Sequence, residues 1–198
     1  MLNIDISFKL NDIDFAFNTQ VKRGDVYTFE VGEPILADKL LWVLTGLDKG
    51  YSGKIEGEGV CWNASSWNNV LALGDPTMFV RGSVRRNIYK ALRVRADKKT
   101  AMARTEEIIE KYGLQVLAGL NVKLLSDEEL LRVAVARADY RKIALVVWKK
   151  SADAGEIDLS KWADAYILTI VYNHPVAPAA RRPSIKEGNL GAYAKEAE

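Results

Sequence analysis

The sequence predicts an α/β fold: a mainly parallel sheet core, preceded by an antiparallel β portion at the N-terminus and interrupted by a helical stretch. Three observations predict it. The first thirty residues alternate apolar and polar side chains around turn signals. Residues 83–138 carry helix caps and helical spacing instead. Two unbroken apolar runs follow, "KIALVVW" and "AYILTIVYN", of the kind buried on both faces in a parallel sheet.

Each element has its own reason. "IDISFKL" and "IDFAFNTQV" flank Asn11-Asp12, a turn pair, and read as an antiparallel pair of strands. "DVYTFEV" is a third strand, led in by Arg23-Gly24. From about 36 to 44 the apolar residues fall at helical spacing. "GLDKGYSGKIEGEG" is glycine-rich and reads as turns, and "NNVLALGDP" as a short strand stopped by a breaker. Ser83 caps a helix through about Leu92, and "DKKTAMARTEEIIEKYGL" forms another that closes at Gly113. "LSDEELLRVAVARA" opens on a capping box, Ser126 to Glu129, in which side chain and backbone satisfy each other at the helix start. No linker, repeat or low-complexity stretch divides the chain, so residues 1–198 are expected to form one domain with a helical subdomain at about 83–138.

Composition narrows the function. Of 198 residues, 48% are hydrophobic and 27% charged, as in ordinary globular proteins, and the net charge of +2 points to no class of partner. Cys61 is the only cysteine, which excludes an internal disulfide and suits a reducing compartment. "MLNIDISFKL" carries Asp5 and lacks the apolar core of a signal peptide. The apolar run from Ile143 is too short to span a bilayer.

Five stretches occur in a telling order: "VKRGDVYTFEVG", "LTGLDKGYSGKI", "GDPTMFVRGSVRRNI", "LSDEELLRVAVARA" and "KIALVVW". Together, over about 21–190, they resemble the nucleotide-binding subunit of an ATP-binding-cassette (ABC) transporter, in the style of importer ATPases for small anions or metals. The resemblance implies a P-loop ATPase fold. It also shows where this chain departs from the family.

The phosphate loop of such proteins reads G-x-x-x-x-G-K-[ST]: amides wrap the phosphates, the lysine reaches them and the hydroxyl holds magnesium. Gly32 matches the first position. Ala37 replaces the second glycine, Asp38 the lysine and Lys39 the hydroxyl, with Ile35 and Leu36 at the loop tip. An ionised aspartate repels a triphosphate and has no proton to donate. Reading Lys39 as the displaced lysine puts Asp38 at the glycine and Leu40 at the metal ligand, which is no better.

The family's Walker B acids follow four apolar residues. Here "ALVV" is followed by Trp148, Lys149 and Lys150, so the charge is reversed, and Trp148 is expected to pack at the strand end. The signature Leu-Ser-Gly-Gly-Gln/Glu becomes Leu125, Ser126, Asp127, Glu128 and Glu129. Its glycines, which expose amides to phosphate at a helix start, are now acids. Gly74 stands where the family has glutamine before "DP". His174 is the candidate switch histidine, with Asn173 competing for the position, and a plain loop residue is the simpler reading.

These departures imply a pseudo-ATPase: not an enzyme, without a nucleotide or metal cofactor, acting as a docking, scaffold or regulatory subunit. The expected partners are a membrane permease or another ABC ATPase-like subunit, in a homo- or heterodimer. The expected location is cytoplasmic, at the inner face of the membrane. Two other readings stay open: an ATP-hydrolysing importer subunit with non-standard contacts, and a fold reused to bind anionic lipid or nucleic acid. Finally, "RGSVRRNIYKALRVRADKK" holds eight basic residues against one acid. Arg81, Arg85, Arg86, Lys90, Arg93 and Arg95 are its candidate docking face, for an acidic loop of a membrane partner or for anionic head groups; a solvated helix face is the plain alternative. Nucleic acid is disfavoured, since no aromatic-interleaved platform accompanies the charges.

Overall fold

A computed structural model describes residues 1–60, 69–155 and 157–173. The chain divides into two compact units, Met1–Ala72 with Ile143–Glu198, and Leu73–Lys142.

The first unit contains two sheets. β1 (Leu2–Leu10) and β2 (Ile13–Val21) form an antiparallel hairpin in register from Leu2↔Val21 to Leu10↔Ile13. Asn11 and Asp12 both take positive φ, 49° and 63°, which is what a two-residue hairpin turn requires and these short polar side chains tolerate. β4 (Ser52–Gly57) pairs with the other edge of β1, giving the order β2-β1-β4. This corrects the reading of "GLDKGYSGKIEGEG" as turns alone. Gly53 lies against β1 with φ +98°, and a Cβ there would sit 2.1 Å from the Asp5 carbonyl oxygen. The glycine is therefore the condition for pairing, not a break in the strand.

The second sheet has the order β3-β7-β6-β5, built from β3 (Val26–Val31), β5 (Val70–Leu73), β6 (Leu145–Ser151) and β7 (Tyr166–Tyr172). β3 runs parallel to β7, and β7 parallel to β6. The largely apolar runs form the core of the two central strands, as expected of strands covered on both faces, and Lys149 and Lys150 extend β6 beyond the apolar run. α1 (Pro34–Leu44) packs against β3, β6 and β7 through Ala37, Leu40, Leu41 and Leu44, all completely buried. One core joins the two sheets: Phe17 of β2 stacks on Phe8 and meets Phe29 of β3 edge-on, with centroids 5.8 Å apart in each pair.

The second unit is helical. α2 (Val84–Arg93), α3 (Lys98–Lys111) and α4 (Asp127–Arg137) pack α2 on α3 and α2 on α4 around Ile88, Leu92, Ala101, Leu114 and Val133. Buried Asn87 fixes the entry to α2. Its amide accepts from Val80 N at 2.8 Å and donates to Val80 O at 2.9 Å and Ser83 O at 3.0 Å. Among the described residues no helix is long and apolar enough to cross a membrane.

Candidate functional site

The site starts at the junction of β3 and α1. β3 ends at Val31, and the helix begins at Pro34, leaving only Gly32 and Glu33 between them. Ile35 and Leu36, placed at a loop tip by the sequence, instead form the first helical turn. No wide loop of free amides precedes the helix, and Pro34 at its start has no N–H to give. Glu33 is the N-cap in extended conformation (φ −130°, ψ 140°), and its side chain makes no capping hydrogen bond. Gly32 stays outside the left-handed region, and a Cβ added there would meet nothing within 4 Å. The junction does not need a glycine.

Asp38 and Lys149 meet across this junction. Lys149 Nζ donates to Asp38 Oδ1 in a close ion pair, although 111 residues separate the two in sequence. Strand alternation makes the contact. Leu145 and Val147 of β6 join the core under α1, and Lys149, two residues on, projects toward the same helix. Its side chain is only 13% exposed, and its ammonium also lies 6.0 Å from the centre of the Tyr172 ring. Trp148 lies in the middle of β6 rather than at its end, where the sequence placed it, because the strand continues through Lys149 and Lys150; it points to the other face, 3% exposed, with Lys150 over its ring at 4.8 Å.

Lys39 turns elsewhere. It donates to Asp48 Oδ2 at 2.7 Å and lies 5.6 Å from the Phe8 ring centre. That hydrogen bond, with another from the Gly50 amide at 2.6 Å, holds the Asp48 carboxyl below the usual carboxylate range. Neither register of the motif therefore leaves a lysine at the helix start. The missed residues are Asp48 and the Asp38–Lys149 pairing itself. The sequence did carry one signal for the pairing: charge is inverted at both motif positions at once, and two inversions that compensate each other suggest contact.

In the second unit, the stretch from Leu125 to Glu129 that resembles a signature is a closed helix cap. Ser126 Oγ accepts from Glu129 N at 3.3 Å, and Glu129 Oε2 accepts from Ser126 N at 2.8 Å. Asp127 and Glu128 are exposed in the first turn, where their charge suits the helix dipole, and Glu128 lies 3.6 Å from Arg132. Gly74 joins β5 to a short 3-10 turn, Pro76–Met78, capped by Asp75, which accepts from Thr77 N at 2.8 Å. Cys61 and His174 lie outside the described residues.

No protein-family model matches this sequence, and no curated protein does. Solved structures do match. The dimeric structure of MJ0796, a bacterial ABC transporter cassette, aligns with TM-score 0.64 and 15% identity over 87% of this chain and 88% of that one. The fold is that of an ABC transporter ATPase cassette. A post-hydrolysis dimer of the ATP-binding cassette MJ0796, bound to ADP and Pi, aligns with TM-score 0.60 and 14% identity over 89% of each chain. cbiO1 from Clostridium perfringens, described as part of the ABC transporter complex cbiONQ, aligns with TM-score 0.59 and 17% identity over 87% of this chain and 78% of that one. At such identities the cassette likeness carries the fold, and the chemistry must be argued from the residues present.

Those residues do not fit a magnesium nucleotide. The helix side offers a carboxylate where phosphate needs a cation, and the strand side an ammonium where a metal needs an acid. No hydroxyl follows Asp38, since Lys39 stands there.

Proposed function

We propose that this chain is a degenerate ABC ATPase-like protein, a pseudo-ATPase that serves as a docking, scaffold or regulatory subunit of an ABC-transporter-like complex and does not hydrolyse ATP. The Asp38–Lys149 pair carries the reading. Phosphoryl transfer is positioning plus charge stabilisation, by cations on the phosphates and by a metal held on acids. At this junction each charge has the wrong sign for that task and is used by the other. A nucleotide would first have to break the pair and then face Asp38. The closed cap at Ser126 and Glu129 supports the same reading from the other motif. A chain that kept a phosphate-gripping signature could serve an active partner; one with acids there is a poor grip as well.

The similar structures, a dimeric cassette and a member of a transporter complex, suggest the partners. They are a permease or a second ABC ATPase-like subunit, met at the inner face of the membrane. Affinity purification of the chain from detergent-solubilised membranes, with cross-linking, tests this. The reading expects a permease or ABC ATPase-like protein in near-stoichiometric yield. Magnesium-dependent phosphate release from ATP by the purified chain alone would overturn it.

A further inference from the structure

We propose that the exposed face of α2 and the turn after it form a docking surface for an anionic lipid bilayer. The proposal is independent of the nucleotide site. α2 buries Val84, Asn87, Ile88 and Leu92, which leaves Arg86, Lys90 and Arg93 exposed together on the opposite side. Arg81 before the helix and Arg95, Lys98 and Lys99 after it are exposed too. Arg85, also exposed on α2, pairs with the Glu106 carboxylate at 2.8 and 3.1 Å, and among the described residues it is the one cation of the stretch with a carboxylate partner.

The one acid of the stretch is tied to a helix start, and eight basic residues against it still leave residues 81–99 strongly positive. Asp97 is the N-cap of α3: its carboxylate accepts from Lys99 N at 2.8 Å and Thr100 N at 3.0 Å, and from the Thr100 hydroxyl at 2.5 Å. Between Arg93 and Arg95 stands Val94, 78% exposed, in a turn that Arg93 braces by donating to Ala96 O at 2.6 Å. A single exposed valine is ordinary on a protein surface. At a membrane surface it can sit at the boundary of head groups and acyl chains while the arginines bind the phosphates.

Charge and shape favour a bilayer over a protein. A helix face of long cations offers no pocket for the aromatic or aliphatic anchors that dominate protein interfaces. A bilayer needs none, because it presents many anions at once and each basic residue adds about fivefold to partitioning. Nucleic acid offers similar charge, but Tyr89 is the only aromatic residue in 81–99 and it is half-buried.

Co-sedimentation of the purified full chain with phosphatidylcholine vesicles, with and without phosphatidylserine, tests the proposal. The wild type is expected to sediment only with the anionic vesicles, and to be released in molar salt, where the screening length falls to about 3 Å. R86E/K90E/R93E should lose at least on the order of a hundredfold in partitioning, the loss expected from removing three basic residues, with more from the added acids. Arg85 is left in place because it holds Glu106. Lys90 and Arg93 lie in the last turn of α2, where glutamate would weaken the helix, so R86Q/K90Q/R93Q serves as a second variant and should show the same direction of loss with an unchanged circular dichroism spectrum. V94S should weaken binding to anionic vesicles severalfold without altering its salt dependence. Failure to sediment with phosphatidylserine vesicles at low salt would overturn the proposal. So would equal binding to neutral vesicles, or unchanged binding in the glutamine variant. Displacement from the vesicles by duplex DNA at equal phosphate concentration would reassign the face to nucleic acid.

Discussion

Asp38→Ala is the sharpest perturbation of the closed junction. It removes the carboxylate and leaves the Lys149 ammonium with 13% of its side chain exposed and no counter-charge from α1. Exposed ion pairs contribute ~0.2–1 kcal/mol, and breaking a deeply buried one costs ~3–5 kcal/mol. Lys149 belongs near the buried limit, but Asp38 is 36% exposed and water screens its half of the pair. The expected loss is therefore about 2 kcal/mol, a fall of about 1 M in the urea midpoint for a slope near ~2 kcal/mol/M. The opposite truncation should cost less. Lys149→Met keeps the apolar stem against Tyr172 and strands only a carboxylate that water can reach. The charge swap Asp38→Lys with Lys149→Asp should recover more than half of the Asp38→Ala loss, since the attraction is unchanged in sign. Urea denaturation of the four proteins, with unchanged slopes, checks the set. An Asp38→Ala midpoint equal to wild type, or a swap no better than the single variants, would refute the idea that this pair holds the helix to the sheet.

Three further outcomes follow from other parts of the fold. Asp48, held below the usual carboxylate range by Lys39 and the Gly50 amide, contributes stability above its unfolded value and loses it as pH falls through its lower folded value; Asp48→Asn should lower stability at neutral pH and flatten the acid limb of a pH-stability curve. Gly53→Ala adds a Cβ into the Asp5 carbonyl at φ +98° and should cost at least about 1–3 kcal/mol, seen as a lower melting temperature and faster amide exchange along β4. Asp38→Lys alone should show no magnesium-dependent ATPase activity in a phosphate-release assay, because groups that act as a unit are not restored one at a time and β6 still carries Trp148 and Lys149 rather than acids.

What was legible in the sequence was local. The capping box at Ser126 and Glu129 forms as written, because its two hydrogen bonds lie within one helical turn. The hairpin at Asn11 and Asp12 and the two central parallel strands are likewise set by nearby residues: turn chemistry in one case, an unbroken apolar run in the other. β4 was missed because nothing apolar marks it except Ile55; it becomes a strand only by pairing with β1, about fifty residues earlier. The start of α1 was placed near 36 from its apolar spacing, although Pro34 carried the better signal, a proline pre-set for the first helical position. The departures from the family pattern at Asp38 and Lys149 were visible one by one. Their union was not, since it depends on how β6 lies under α1, which no window of sequence contains.

Isothermal titration of ATP with magnesium into the purified full chain tests the central claim most directly. The closed junction predicts no saturable heat at micromolar nucleotide, in the wild type and in the Asp38–Lys149 charge swap alike. Saturable micromolar binding by the wild type, abolished by substitution at Asp38 or Lys39, would contradict it and return the junction of β3 and α1 to service as a nucleotide site.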